Sequence, residues 1–310
     1  MKKIGILFGK ERSFPEAFVA RINSKNVDGI MAEPVLIDKA LQGMHSGYSV
    51  IVDRISQDVP FYRTWLKNAA LTGTYVINNP FWWSADDKYF NNCLMTQIGV
   101  PVPKTAIIPS NQLPDDTSSE SFSNLNYPMN WDAIFAEVGF PAYMKPFAGG
   151  GWKNVYRLND ANDFFEKHNE TGQLVMLLQE EIVFEEYYRC YCVGRKHVRI
   201  MPYEPRNPHH LRYQANFSPS AERLQQMTDI VLKINNSLGY DLNTVELALR
   251  DGVPYAIDFC NPAPDADIAS VDSENFEWIV ETMANYTIEV AQANNGEKKL
   301  TWGDFVKQSV

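Results

Sequence analysis

A chain of 310 residues is long enough for about two domains of ordinary size, each with its own packed core. The composition is that of a folded protein, 45% hydrophobic and 21% charged with only four cysteines, which excludes collagen-like, disordered and disulfide-stapled classes. The 28 Lys and Arg against 38 Asp and Glu leave a formal charge of −10, which argues against a general nucleic-acid binder, whose footprint is basic. A small anionic ligand stays compatible with that balance, because local charge can oppose net charge.

No run approaches the roughly 20 apolar residues of a membrane helix. The start, Met1-Lys2-Lys3-Ile4-Gly5, runs into Gly9, Lys10, Glu11 and Arg12 without the apolar core of a signal peptide. A cytoplasmic protein with no membrane partner is the expectation.

The first eighty residues alternate short apolar runs (4–8, 34–37, 50–52, 75–77) with helical stretches at 15–23 and after Pro60. That alternation predicts a small parallel-sheet domain. Gly5 and Gly9 do not make the G-x-G-x-x-G pattern of a dinucleotide loop. A helix predicted over 86–98 is stopped by Gly99-Val100-Pro101-Val102-Pro103, and the Ser-, Asp-, Asn- and Pro-rich stretch 111–130 reads as an inserted loop. A strand at 143–145 leads into Gly149-Gly150-Gly151; a helix at 162–168 and an apolar strand at 173–179 follow. Segments 187–193 and 196–201 flank Gly194-Arg195 as a hairpin, and 202–217 is long and polar. A helix over 220–238 has Ser220 at its start and Gly239 at its end. A second hairpin spans 243–261, and a last helix runs over about 274–291. The whole is an α/β (α+β) chain divided at 1–85, 86–178 and 179–310.

The second hairpin carries the sharpest chemistry. Val245, Leu247 and Leu249 share one face of its first strand, leaving Thr244, Glu246 and Ala248 on the other. Tyr255, Ile257 and Phe259 form the apolar face of the second strand, with Ala256 and Asp258 opposite. With Asp251-Gly252-Val253 as a three-residue turn, Glu246 falls directly across from Asp258. Like charges so opposed, about 5 Å apart, are destabilising. A shared proton or a divalent cation would offset that, and the register favours the cation.

Two further segments depend on their company. The three glycines after Lys145 would let backbone approach a polyphosphate, or form a flexible hairpin tip. Met176–Ile182 is an apolar strand breaking into Glu180 and Glu181, followed by Glu185 and Glu186. It could present main-chain groups to a purine and a carboxylate to ribose hydroxyls, or be an ordinary strand end.

Taken in order, these segments resemble the ATP-grasp family over roughly 83–264. Lys88 followed by Ile98-Gly99-Val100-Pro101-Val102-Pro103 is similar to the family's first lysine and its G-[IV]-P-x-P stretch. Gly139-Phe140-Pro141-Ala142-Tyr143-Met144-Lys145-Pro146 resembles the strand with the second ATP lysine, and Gly149-Gly150-Gly151 the loop over the phosphates. Gln179-Glu180-Glu181-Ile182 resembles the hinge that reads adenine, with Glu186 as the ribose carboxylate. Glu246 and Asp258 match the two acids that hold magnesium. The family often ends on acid, one residue, Asn, whereas Asp258-Phe259-Cys260-Asn261 has two between, so Asn261 joins the metal only if the strand bulges.

The nearest likeness is to carboxylate–amine ligases such as the ribosomal-protein glutamate ligases and glutathione synthetases. In these an Arg before a Val-Gly pair lies near the phosphates, as Arg189-Cys190-Tyr191-Cys192-Val193-Gly194 does here. The resemblance implies an N-terminal α/β domain (1–85), a middle lobe (86–178) and a C-terminal lobe (179–310) clasping ATP and Mg²⁺. It implies an ATP-dependent ligase that phosphorylates a carboxylate, then passes the acyl group to an amine. Small-molecule or peptide carboxylates and amines would be its partners; a homodimer is compatible with the sequence and not fixed by it. A small-molecule kinase on the same fold, or a nucleotide-binding protein without turnover, would use the same ATP residues.

The segment 203–213 matches nothing in that likeness. It holds Arg206, His209, His210 and Arg212, a basic island suited to a carboxylate or phosphate, with His209 able to move a proton. A solvated connector is the alternative. Cys190 and Cys192 read as buried free thiols, Cys260 as packing, and His45, His168 and His197 as structural or surface groups. Trp65, Trp82, Trp83 and Trp131 read as core, while Trp152 is placed to cover nucleotide or substrate.

Overall fold

The computed structural model describes residues 1–81, 87–214, 217–297 and 300. In chain order the elements are β1 (Lys2–Leu7), α1 (Ser13–Ser24), β2 (Ile30–Pro34), β3 (Val50–Asp53), α2 (Pro60–Leu71), β4 (Tyr75–Ile77), α3 (Lys88–Gln97), β5 (Thr105–Ile108), α4 (Trp131–Val138), β6 (Ala142–Pro146) and β7 (Tyr156–Leu158). Then come α5 (Ala161–Glu170), β8 (Met176–Glu180), β9 (Glu186–Val193), β10 (His197–Pro202), α6 (Ala221–Leu238), β11 (Leu242–Arg250), β12 (Val253–Asp258), α7 (Ile268–Val271) and α8 (Ser273–Ala293). Among the described residues no helix is long and apolar enough to cross a membrane.

The chain divides into two units. One comprises Met1–Trp83, Glu186–Leu249 and Asp258–Val310; the other comprises Ser84–Glu185 and Arg250–Ile257.

The first unit opens with a parallel sheet, β2-β1-β3-β4, in which Ile4 pairs with both Ala32 and Val50. Ile4, Ile6, Val50, Ile51 and Val52 are fully buried, as expected of short strands covered on both faces. The 34–37 run expected as a strand is displaced: β2 ends at Pro34, Val35 makes one last bond to the Ile6 carbonyl, and Leu36 stands in solvent. Lys2 Nζ reaches the C-terminal end of α8, donating to the carbonyls of Ala291 (2.7 Å) and Gln292 (2.9 Å). Cations stabilise a helix end with unpaired carbonyls. α8 also binds α1, where Arg21 and Lys25 both clasp Glu281 at 2.6 Å.

The unit also sets β10, β9 and β11 side by side in that order, with β9 antiparallel to both neighbours. Cys190, Val245 and Leu247 are fully buried on one face, Cys192 beside them, and burial pushes both thiols up, Cys192 to about 12. α6 is capped as expected: the Ser220 hydroxyl accepts from Arg223 N–H, and Gly239 closes it in the left-handed region at φ 68°.

The second unit is built on an antiparallel sheet, β5-β8-β6-β7. Ala142, Met144, Met176 and Leu178 alternate onto one face and pack with Ile108, Val138 and Phe164. Trp131 belongs to that core, stacked with Phe135 at 6.3 Å. α4 lies just past the loop expected at 111–130; the Asn130 side chain, its last polar residue, caps the helix by accepting from Ala133 N–H.

Candidate functional site

The antiparallel register sets Glu246 directly opposite Arg189 and Ala248 opposite Tyr187, so these four share one sheet face. The Tyr187 hydroxyl donates to Glu246 Oε2 at 2.5 Å, and Arg189 Nε lies 3.6 Å from Oε1. Burial, then the negative charges of Glu246 and Asp258, push the Tyr187 hydroxyl well above the usual phenol range. Glu246 is therefore held by the Tyr187 hydroxyl on the face it shares with Arg189.

The hairpin does not follow the expected register, in which a three-residue turn sets Glu246 directly across from Asp258. The turn has two residues, Asp251 (φ 51°) and Gly252 (φ 75°), both left-handed, as a type I′ hairpin turn requires. Counted from such a turn, an unbroken ladder would set Glu246 against Ile257 and Thr244 against Phe259. Instead Thr244 N–H donates to the Asn261 carbonyl at 3.3 Å, two residues beyond that count. The chain bulges at 259–260, so its path to Asn261 departs from an unbroken strand.

Aromatic rings lock the arginine. Arg189 Nη1 donates to the Tyr213 hydroxyl at 3.1 Å, and its guanidinium lies 5.5 Å from the Tyr203 ring centre. Tyr203 and Tyr213 meet edge to face at 5.0 Å. The 203–213 segment thus contributes to the site through two tyrosines that sequence reasoning passed over. Arg206 is exposed and held by Glu204 through two contacts of 2.6 Å. Arg212 donates to the Asn207 carbonyl at 3.0 Å. His209 lies in a 3₁₀ turn, and its side chain falls outside the described residues. Glu186 accepts from the Tyr188 hydroxyl at 2.6 Å.

In the second unit, the face of β6 and β8 opposite the core carries Tyr143, Lys145 and Gln179. Lys145 Nζ donates to Gln179 Oε1 at 2.8 Å, and Gln179 Nε2 donates to the Thr105 hydroxyl at 2.9 Å. Lys88 opens α3, where Asp87 caps the helix, and its Nζ donates to the Gly149 carbonyl at 2.6 Å. Lys88, Lys145 and the glycine loop are thus assembled in one unit. Gly149 (φ 86°) and Gly151 (φ 74°) adopt conformations that side chains disfavour, in open space, and Trp152 beside them is 66% exposed.

The hinge is anchored by its acids. Glu180 pairs with Arg250 at 2.6 Å, and Glu181 with Arg157 at 2.8 Å. Their N–H groups donate to the carbonyls of Lys104 and Pro141. Ile182 is buried. Trp82 and Trp83 lie outside the described residues.

The donor set fits the groups expected of it. Two carboxylates, with the Asn261 carboxamide nearby in sequence, are the hard oxygens Mg²⁺ prefers. Among the described residues no cluster of three or more His, Cys, Asp or Glu is arranged for a metal, so the candidate rests on an acid pair. Two lysines and an open glycine loop supply point charges and main-chain donors for a polyphosphate.

No family model and no curated protein matches this sequence. Solved structures do. The RimK-domain ATP-grasp protein of Sphaerobacter thermophilus superposes with a TM-score of 0.64 at 15% identity, over 92% of this chain and 99% of that one. The D-alanine–D-alanine ligase of Bacillus anthracis, solved with ATP, gives 0.61 at 14%, over 96% and 100%. The ATP-grasp ligase PsnB, solved with a minimal precursor, Mg and ADP, gives 0.60 at 14%, over 93% and 98%. At these identities the likeness establishes the fold, and it spans nearly the whole of each chain. The chain has the ATP-grasp fold that these structures share.

Proposed function

We propose that this chain is an ATP-dependent ligase that joins a carboxylate to an amine. The observation that supports this most is Glu246 held by the Tyr187 hydroxyl directly opposite Arg189, on a fold shared with such ligases.

In the proposed reaction a substrate carboxylate oxygen attacks the γ-phosphorus of ATP, and the bond to ADP breaks. The amine then attacks the acyl carbon and expels phosphate as it loses a proton. Phosphoryl transfer asks the protein for positioning and charge neutralisation rather than for a nucleophile. Lys88, Lys145 and the main chain of Gly149–Gly151 hold the phosphates. Main-chain groups of Gln179, Glu180 and Ile182 read adenine, and Glu186 takes the ribose hydroxyls. Glu246 and Asp258, with Asn261, would hold Mg²⁺, whose chemistry there would be charge neutralisation at the phosphates. Arg189, fixed by Tyr213, faces the negative charge that develops at the acyl centre. Arg206 and Arg212 lie on the neighbouring segment to receive an anionic substrate, and His209 to move a proton there.

The test is a two-substrate screen. Amino acids and short peptides are incubated in pairs with ATP and Mg²⁺, and ADP, phosphate and products are quantified. Ligation predicts equimolar ADP and phosphate dependent on both substrates, with a product lighter than their sum by one water. A stable phosphorylated product with no free phosphate would contradict it.

A further inference from the structure

Asn243 is a carboxamide on an apolar face. It stands in β11 on the side of Val245 and Leu247, opposite Cys192, and is fully buried. Asparagine is depleted in strands, and a buried amide is costly unless its bonds are made. Both are made, and both go to one short stretch of main chain. Nδ2 donates to the Phe259 carbonyl at 2.8 Å, and Oδ1 accepts from Asn261 N–H at 2.7 Å.

Those are the groups freed where the ladder breaks. Strict alternation would aim Asn261 away from Asp258, and Thr244 N–H meets the Asn261 carbonyl two residues late. The Asn243 side chain takes the place of the missing ladder bonds and stabilises the bulge.

We infer that Asn243 is a positioning residue for the cation edge: from the core side of β11, it fixes the path of 259–261 and so the placement of Asp258 and Asn261. The inference rests on the reading of Glu246 and Asp258 as cation-holding acids. Asn243 stands on the opposite face from Glu246 and acts through main chain alone.

The experiment measures Mn²⁺ binding by electron paramagnetic resonance in the presence of ADP, and amide exchange at Asn261. Wild type is expected to bind Mn²⁺ with ADP and to show a slowly exchanging Asn261 amide. Asn243→Leu, which keeps the volume and removes both bonds, is expected to weaken Mn²⁺ about 10- to 100-fold, the usual range for residues that orient metal ligands. ADP affinity in EDTA should not change, a readout that general destabilisation would move. Asn243→Asp keeps the acceptor for Asn261 N–H and should fall between the two. Mn²⁺ binding by Asn243→Leu as tight as wild type overturns the inference. If that variant does not fold, rapid Asn261 exchange in wild type does the same. A wild type that fails to bind Mn²⁺ with ADP, or a Glu246→Gln variant that binds it unchanged, instead overturns the underlying reading of the acids.

Discussion

In the unit built on β9 and β11, the candidate acids stand among groups that are already bonded. Tyr187 holds Glu246, Tyr213 holds Arg189, and Asn243 holds the chain that follows Asp258. In the unit built on β6 and β8, Lys88 rests on the glycine loop, Lys145 on a neutral carboxamide, and the loop itself lies in open space. A metal edge depends on ligands held in place beforehand, because octahedral Mg²⁺ tolerates little error in geometry. A polyphosphate needs charge and main-chain donors that can follow it, which flexible lysines and glycines supply. The acid edge of the first unit is held by bonds already made, while the lysines and glycine loop of the second unit are adaptable.

Substitution of the acids should break the comparison hardest. Glu246→Gln and Asp258→Asn should each lower the rate of ADP release about 100- to 1,000-fold, the scale of losing one preorganised electrostatic group. Steady-state kinetics at saturating Mg²⁺ checks this. A loss recovered fully by more ATP would show that the acids serve binding alone.

The lysines of the second unit should answer differently. Lys145→Ala or Lys88→Ala removes one charged contact, worth about 1.5–3 kcal/mol. That corresponds to roughly 10- to 100-fold in the KM for ATP, with a smaller change in kcat. Nucleotide titrations of the two variants measure it.

The first unit should also show its bonding in stability. Asn78 is 1% exposed and bonds the start of β11 three times, to Asp241 N–H (2.7 Å) and to Leu242 N–H (3.0 Å) and carbonyl (2.7 Å). Asn78→Ala should cost about 2–3 kcal/mol in denaturant unfolding, by leaving buried main-chain groups unpaired.

The smallest effect belongs to the surface. Lys25 and Arg21 hold the Glu281 carboxyl down to about 2, from 4.5. A depressed carboxylate stabilises the fold fully above about 4.5, and that contribution is lost as pH falls toward 2. Glu281 is 41% exposed, so Glu281→Gln should cost under about 1 kcal/mol at neutral pH. Thermal unfolding of variant and wild type should converge as pH falls through that window.

The same contrast explains what could be read from sequence. Alternation in 244–249 puts Glu246 on the polar face, where Tyr187 and Arg189 meet it. The register is not legible because the Asp251-Gly252 turn admits two-residue and three-residue forms, and the ladder breaks again beyond Asp258. Asn243 carried no signal, since an asparagine in an apolar strand marks an end unless its partners are known. Tyr203 and Tyr213 were hidden beside more conspicuous arginines, of which Arg206 is held by Glu204. α4 was hidden by the polar loop before it, although Trp131 and Phe135 already announce a core-facing helix.

The most direct measurement is calorimetric: ADP affinity with Mg²⁺ and in EDTA, for wild type and the Glu246→Gln, Asp258→Asn double variant. A cation edge at these acids predicts that Mg²⁺ tightens ADP binding in wild type and not in the double variant, with the EDTA affinities equal. Equal tightening by Mg²⁺ in both proteins would contradict it.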